Sequence, residues 1–161
     1  DCGPIINNKQ YGRVSGFISE SVASGIPVVA EAQLAPGLPA GGFFVKPTLF
    51  GAVPRDHNLA CKEVFGPVLT AMPFTDEEDA VRLANATEHG LVAGVWTENG
   101  SRQARMAQRI QSGQVFINCY GAGGGVELPF GGVKKSGHGR EKGFIALEEM
   151  STTKTIVQFY S

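Results

Sequence analysis

Lys62-Glu63-Val64-Phe65-Gly66-Pro67-Val68 sets an acid and an aromatic two residues apart and then closes on Gly-Pro. In an extended backbone side chains alternate, so Glu63 and Phe65 would face the same way. One carboxylate beside one ring, held by a stiff Gly-Pro turn, could grip a molecule with hydroxyls and a flat face. The commoner meaning of an acid-x-aromatic pattern is a strand with one buried ring, so the rest of the chain has to decide between the two.

Downstream, Val68–Met72 reads as a strand. Thr75-Asp76-Glu77-Glu78 reads as a capping box, with Thr75 taking the third backbone N–H and Glu78 reaching back. The helix it opens runs to about Thr87 and stops near Gly90. Leu91–Thr97 is a strongly apolar strand holding the single Trp96. Asn99-Gly100 turns into a helix that carries Met106, Ala107 and Ile110 inward, with Arg102, Arg105 and Arg109 on a solvated face. Gly113 ends it, and Gln114–Asn118 is a strand. Residues 68–118 therefore alternate strand and helix, the pattern of a parallel sheet with covering helices, and the fold class is α/β.

Upstream, Tyr11, Val14, Ile18 and Val22 make one apolar helical stripe over residues 8–24, with Asn7 or Asn8 as cap and Gly25 as stop. A short strand follows at Pro27–Ala30, then a Pro/Gly loop over 34–42. Phe43–Phe50 is extended and bent at Pro47. Gly139 leads into a short helix through Leu147. Ser151–Tyr160 is β-branched and alternating, a terminal strand that needs a partner edge.

The totals bound the function. At 161 residues, 42% hydrophobic and 18% charged, the chain is a globular domain with a real core. A formal net charge of -1 leaves no electrostatic footprint for nucleic acid or an anionic membrane. No apolar run approaches the ~20 residues of a membrane span. Asp1-Cys2-Gly3-Pro4 has neither the basic start nor the apolar stretch of a signal peptide, and its abruptness suggests a piece of a longer protein. The cysteines, Cys2, Cys61 and Cys119, are odd in number and lack C-x-x-C spacing. That argues against disulfides or a zinc site and predicts a reducing, cytoplasmic setting.

The glycine-rich stretch 120–139 invites a phosphate-binding reading, which fails. G-x-G-x-x-G from Gly121 would need glycine where Val126 stands, and from Gly123 where Leu128 stands. His57, His89 and His138 are scattered and suggest no metal site. No serine sits in G-x-S-x-G.

Taken together, Lys62–Val68, Phe116-Ile117-Asn118-Cys119-Tyr120, Pro129-Phe130-Gly131-Gly132 and Val133–Glu141 resemble the aldehyde dehydrogenase superfamily in order and interval. Gly3-Pro4-Ile5-Ile6 is similar to the segment downstream of that family's nucleophile. The resemblance covers essentially the whole chain but only the C-terminal third of a typical member. It implies residues 1–149 as the C-terminal part of a catalytic domain and 150–161 as an oligomerisation strand. It implies oxidation of an aldehyde to an acid with NAD or NADP, through a cysteine thioester.

By the same resemblance, Glu63 matches the glutamate that hydrogen-bonds the nicotinamide ribose, and Phe65 the aromatic beside the nicotinamide. Phe130 matches a ring at the mouth of the substrate tunnel, and Gly124 stands near a position where many members carry a bulky tunnel residue. Glu141 matches a glutamate near a proton path, or one that orients the loop. The nucleophile and the Rossmann half lie upstream in members, and none of the three cysteines matches the nucleophile's setting. The expectation is a catalytically silent piece of a homo-oligomeric (dimeric or tetrameric) enzyme. The rival readings are a non-catalytic binding or oligomerisation module on the same scaffold, and a reductase acting on acyl phosphates or semialdehydes.

Overall fold

The computed structural model describes residues 2–121 and 125–160 and divides into two units, residues 1–87 and 88–161. The first opens with α1 (Asn8–Ala23), capped by Asn7, whose side chain accepts from the Gln10 N–H. Gly25 follows in the left-handed region at φ 77°, the conformation that stops the helix. Of the expected apolar stripe, Val14 is fully buried, Tyr11 and Ile18 are half-buried, and Val22 is exposed.

β1 (Val28–Glu31), β2 (Thr48–Phe50), α2 (Asn58–Cys61), β3 (Val68–Thr70) and α3 (Glu77–Asn85) complete this unit. The sheet order is β1-β2-β3, with β1 antiparallel and β3 parallel to β2. The strand expected over 43–50 is confined to the three residues after Pro47, which has no N–H to give a ladder. The core is Val14, Ile26, Phe50, Val53, Leu59 and Val64. It ties α1 to the central strand and to the segment running from α2 into β3.

The cap of α3 lies one residue later than the capping box implied. Asp76 accepts from the Asp79 N–H at 2.8 Å, and Thr75 instead donates its N–H to the Asp79 carboxylate at 3.2 Å. Asp79 is buried and also receives Arg55 at 2.7 Å and Arg82 at 2.5 Å. Hydrogen bonds from Arg55, then from Arg82, hold its carboxyl well below the usual carboxylate range.

The second unit contains β4 (His89–Gly90), β5 (Val92–Val95), α4 (Gly100–Arg109), β6 (Gln114–Ile117), β7 (Val133–Lys134) and α5 (Ile145–Glu149). β5 and β6 run parallel in register from Val92↔Gln114 to Val95↔Ile117, with α4 as the crossover. β4 and β7 pair antiparallel. The alternation read from residues 68–118 is present: β3 pairs parallel with β2 in the first unit, and β5 parallel with β6 in the second. Asn99 caps α4 by accepting from the Arg102 N–H. Met106 is buried and Ile110 half-buried, whereas Ala107 is exposed, against expectation. Trp96 falls beyond the end of β5 and is exposed.

Beyond Ile117 the ladder is continued by a side chain. The Asn118 amide accepts from the Thr97 N–H at 2.8 Å and donates to the Thr97 carbonyl at 2.9 Å. α5 starts at Ile145, later than the sequence suggested, because Lys142 and Gly143 both lie in the left-handed region. Ser151–Tyr160 forms no ladder among the described residues, and every residue in it is exposed. Among the described residues no helix is long and apolar enough to cross a membrane.

Two stability outcomes follow from these contacts. The Asp79 carboxyl titrates lower in the folded chain than its unfolded value near 4, so its contribution is full above that value and is lost on acidification. Asp79→Asn should lower the thermal midpoint by several degrees at pH 7, with the gap to the parent closing below about pH 4, as followed by circular dichroism. Gly113→Ala should cost about 3 kcal/mol, the upper end for overpacking. Its Cβ would sit 1.6 Å from the Gly131 carbonyl oxygen. Urea denaturation measures that loss.

Candidate functional site

Residues 62–67 are not a strand. The chain leaves α2 at Lys62, crosses this segment as a loop and re-enters the sheet at Val68. Val64 is buried in the core, and its neighbours Glu63 and Phe65 both point to solvent. The alternation expected from the sequence survives, but the expected strand does not, because Phe65 lies in the left-handed region at φ 58°. That conformation costs a non-glycine residue about 1–2 kcal/mol. The ring is 72% exposed, so its own burial does not offset that cost. The reading of Phe65 as a ring buried on a strand is thereby excluded.

What holds the loop comes from α1. The Gln10 amide donates to the carbonyls of Val64 and Phe65, each at 3.0 Å. The Arg13 guanidinium donates to the carbonyls of Glu63 and Val64, and stacks 5.0 Å above the Phe17 ring. Each such bond contributes about 1 kcal/mol net, more from a charged donor, so together they outweigh the strain at Phe65. Gly66 lets the loop lie against the helix, since a Cβ there would come within 2.6 Å of Val14. Pro67 then accepts from the Thr48 N–H at 2.9 Å, which seats the start of β3.

Glu63 therefore presents its carboxylate from a fixed backbone. Among the described residues that carboxylate has no hydrogen-bond or ion-pair partner. Two free acceptor oxygens suit vicinal hydroxyls, and an exposed ring two residues on suits a flat heterocycle.

In the second unit, Phe130 and Glu141 are brought together as an isolated antiparallel bridge, with both backbone bonds at 2.7 Å. Phe130 is half-buried, with the Lys142 ammonium 5.4 Å from its ring centre. The Glu141 side chain is exposed, and it is the backbone of Glu141 that fixes the loop. Arg140 pinches the turn by donating to the carbonyls of Gly132 at 2.9 Å and Gly139 at 2.6 Å. The glycines here serve close packing. A Cβ at Gly131 would meet the Gly139 carbonyl at 2.7 Å, and one at Gly132 would meet the Ser136 carbonyl at 2.8 Å. Gly124 lies outside the described residues.

Gln10, Arg13 and Arg140 are contributors that carry no role of their own in the sequence reading, and Gly113, expected only to end a helix, also admits the Gly131 carbonyl. Gln10 and Arg13 act on carbonyls 50 to 55 positions away, and a carbonyl has no sequence signature. A cleft of about 350 Å³ lies elsewhere in the first unit, between residues 52–55 and 72–75. Its one charged residue is Arg55, already committed to Asp79. Among the described residues no group of three or more His, Cys, Asp or Glu could hold a metal ion.

Comparison with known proteins identifies the family. The profile of the aldehyde dehydrogenase family matches residues 1–156. A betaine aldehyde dehydrogenase from Cereibacter sphaeroides is 41% identical over 156 residues, covering 96% of this chain and 31% of that protein. The crystal structure of a candidate aldehyde dehydrogenase from Burkholderia cenocepacia is 60% identical with a TM-score of 0.87, covering 91% of this chain and 31% of that one. The structure of a Mycobacterium tuberculosis aldehyde dehydrogenase complexed with NAD+ is 38% identical with a TM-score of 0.84, covering 92% of this chain and 30% of that one. The chain thus spans about a third of the length of the relatives it matches. Matched over nearly its whole length, the chain belongs to the aldehyde dehydrogenase family.

Proposed function

We propose that this chain is the C-terminal part of the catalytic half of an NAD(P)-dependent aldehyde dehydrogenase, which oxidises an aldehyde to a carboxylic acid through a cysteine thioester. The observation that carries the reading is the loop 63–65. Among the described residues the Glu63 carboxylate has no partner, Phe65 is exposed on a left-handed backbone, and hydrogen bonds to their carbonyls hold the segment that carries both. Strain kept in an exposed residue is a mark of function rather than of packing.

In this reading the two Glu63 oxygens accept from the hydroxyls of the nicotinamide ribose. Phe65 packs beside the ring and limits where it can sit, which favours a near-attack geometry. The bound cofactor would supply the hydride acceptor. Phe130 stands at the mouth of the substrate tunnel, and Gly124 keeps only the substrate-side role that the family resemblance gives its position. Glu141, with its carboxylate exposed, serves a proton path. The relative crystallised with NAD+ supports NAD as the cofactor. The nucleophile is supplied from outside this chain, since none of Cys2, Cys61 and Cys119 matches the setting of the family's nucleophile.

Residues 1–149 form the catalytic part, and 150–161 the strand that extends a partner subunit's sheet, giving a homodimer or homotetramer. Ile156, Val157, Phe159 and Tyr160 are exposed within the chain, the condition expected of a strand whose partner edge is on another subunit.

Three measurements check this. The purified 161-residue chain should show no dehydrogenase turnover, and measurable turnover would refute the division of the site. In the full-length enzyme carrying this sequence, Glu63→Gln should weaken NAD binding by roughly tenfold, the loss of one or two hydrogen bonds to a charged group. Unchanged binding would favour the non-catalytic reading. Deleting 151–161 should lower the oligomeric state by size-exclusion chromatography with light scattering, and an unchanged mass would exclude the strand's role.

A further inference from the structure

The segment bearing Glu63 and Phe65 makes four hydrogen bonds to α1, all through its carbonyl oxygens and none through the Glu63 carboxylate. Three successive carbonyls are engaged. Arg13 spans those of Glu63 and Val64, and Gln10 spans those of Val64 and Phe65. The two donors stand three residues apart on α1, so their side chains lie one above the other on one face. Val14 continues that face against Gly66, and Phe17 takes the guanidinium of Arg13 on its ring. Helix residues 10, 13, 14 and 17 therefore form a single template for the loop.

The template constrains what the loop could otherwise do. A left-handed Phe65 would relax toward the β region if its carbonyl were free, and a change in φ there would swing the ring away from the carboxylate. Both donors leave the functional side chains untouched. An arginine fork fits two adjacent carbonyls, whereas a lysine ammonium is a single point of charge.

We propose that Gln10 and Arg13 are positioning residues for the cofactor site, setting the spacing and direction of the Glu63 carboxylate and the Phe65 ring through the backbone between them. This rests on the reading that Glu63 and Phe65 face the nicotinamide ribose and ring. α1 then acts as a rigid jig. The affinity for the dinucleotide depends on residues that act through the loop.

The test uses the full-length enzyme and its four forms: parent, Arg13→Ala, Glu63→Gln and the double variant, with Arg13→Lys and Gln10→Ala alongside. The dissociation constant for NAD is measured by titration, together with the thermal midpoint and amide hydrogen exchange over residues 63–68. Arg13→Ala should weaken NAD binding roughly tenfold, as expected for a displacement of contacting groups by an ångström or less. It should also speed exchange at 63–68 while exchange in the core strands is unchanged. Gln10→Ala should do the same more weakly. Arg13→Lys should restore only part of the affinity.

The double variant should bind NAD no worse than Glu63→Gln alone, because both changes remove the same interaction. Additive losses would overturn the proposal by showing that Arg13 touches the cofactor itself. A lowered thermal midpoint with NAD binding unchanged would overturn it by showing a structural role alone. If Glu63→Gln weakens binding and Arg13→Ala does not, the positioning role falls and the cofactor-site reading stands. If Glu63→Gln has no effect, both fall.

Discussion

The bonds from α1 to the 63–65 carbonyls are the constraint on which the loop carrying Glu63 and Phe65 depends. A loop between a four-residue helix and a three-residue strand has little regular structure of its own to hold it. Without outside donors its carbonyls would turn to water and Phe65 would leave the left-handed region. With them, the buried Val64 becomes a pivot. The side chains on either side of it are forced outward together, and the core that encloses Val64 also encloses Val14 of the same helix. Packing and hydrogen bonding thus fix one object from two directions.

A related logic organises the second unit, with glycine in place of a helix template. Gly113 admits the Gly131 carbonyl, Gly132 admits Ser136, and Arg140 closes the turn through the Gly132 and Gly139 carbonyls. The result presents Phe130 on a short bridge to Glu141, with a cation over its ring. Within the glycine-rich stretch that looks like a phosphate cradle, Gly131 and Gly132 are instead places where backbones meet too closely for a Cβ. The two uses of glycine leave the same composition and differ only in what the neighbouring chain does.

Much of the architecture was legible in advance, for identifiable reasons. Of the two candidate caps before the apolar stripe the structure uses Asn7, and Asn99, read as a turn into α4, serves as its cap. β5, α4 and β6 carry periodicities that no distant contact overrides. The misreadings are where distant contacts decide. At the start of α3 the cap fell to Asp76, and the Asp79 carboxylate took the Thr75 N–H and the Arg55 guanidinium, a partner 24 residues away that no local pattern signals. Phe43–Phe50 shrank to three residues because Pro47 cannot donate to the ladder, and the pairing partner is set by the loop at Pro67. Ala107 faces solvent because α4 buries a narrower face than its sequence allows.

The amino-acid sequence by itself determined the family resemblance, the α/β alternation, a cap for α1 at Asn7 or Asn8, a turn into α4 at Asn99-Gly100, and Glu63, Phe65, Phe130 and Glu141 as candidate site residues. Those follow from order, spacing and local hydrogen-bonding chemistry, which are properties of neighbours along the chain. Only the tertiary structure decided that Phe65 is exposed and left-handed, that Glu63 stands beside it on a loop and not on a strand, and that Gln10 and Arg13 hold them there. The physical reason is that a backbone carbonyl looks alike at every residue, so which carbonyls a side chain will meet is settled by folding alone.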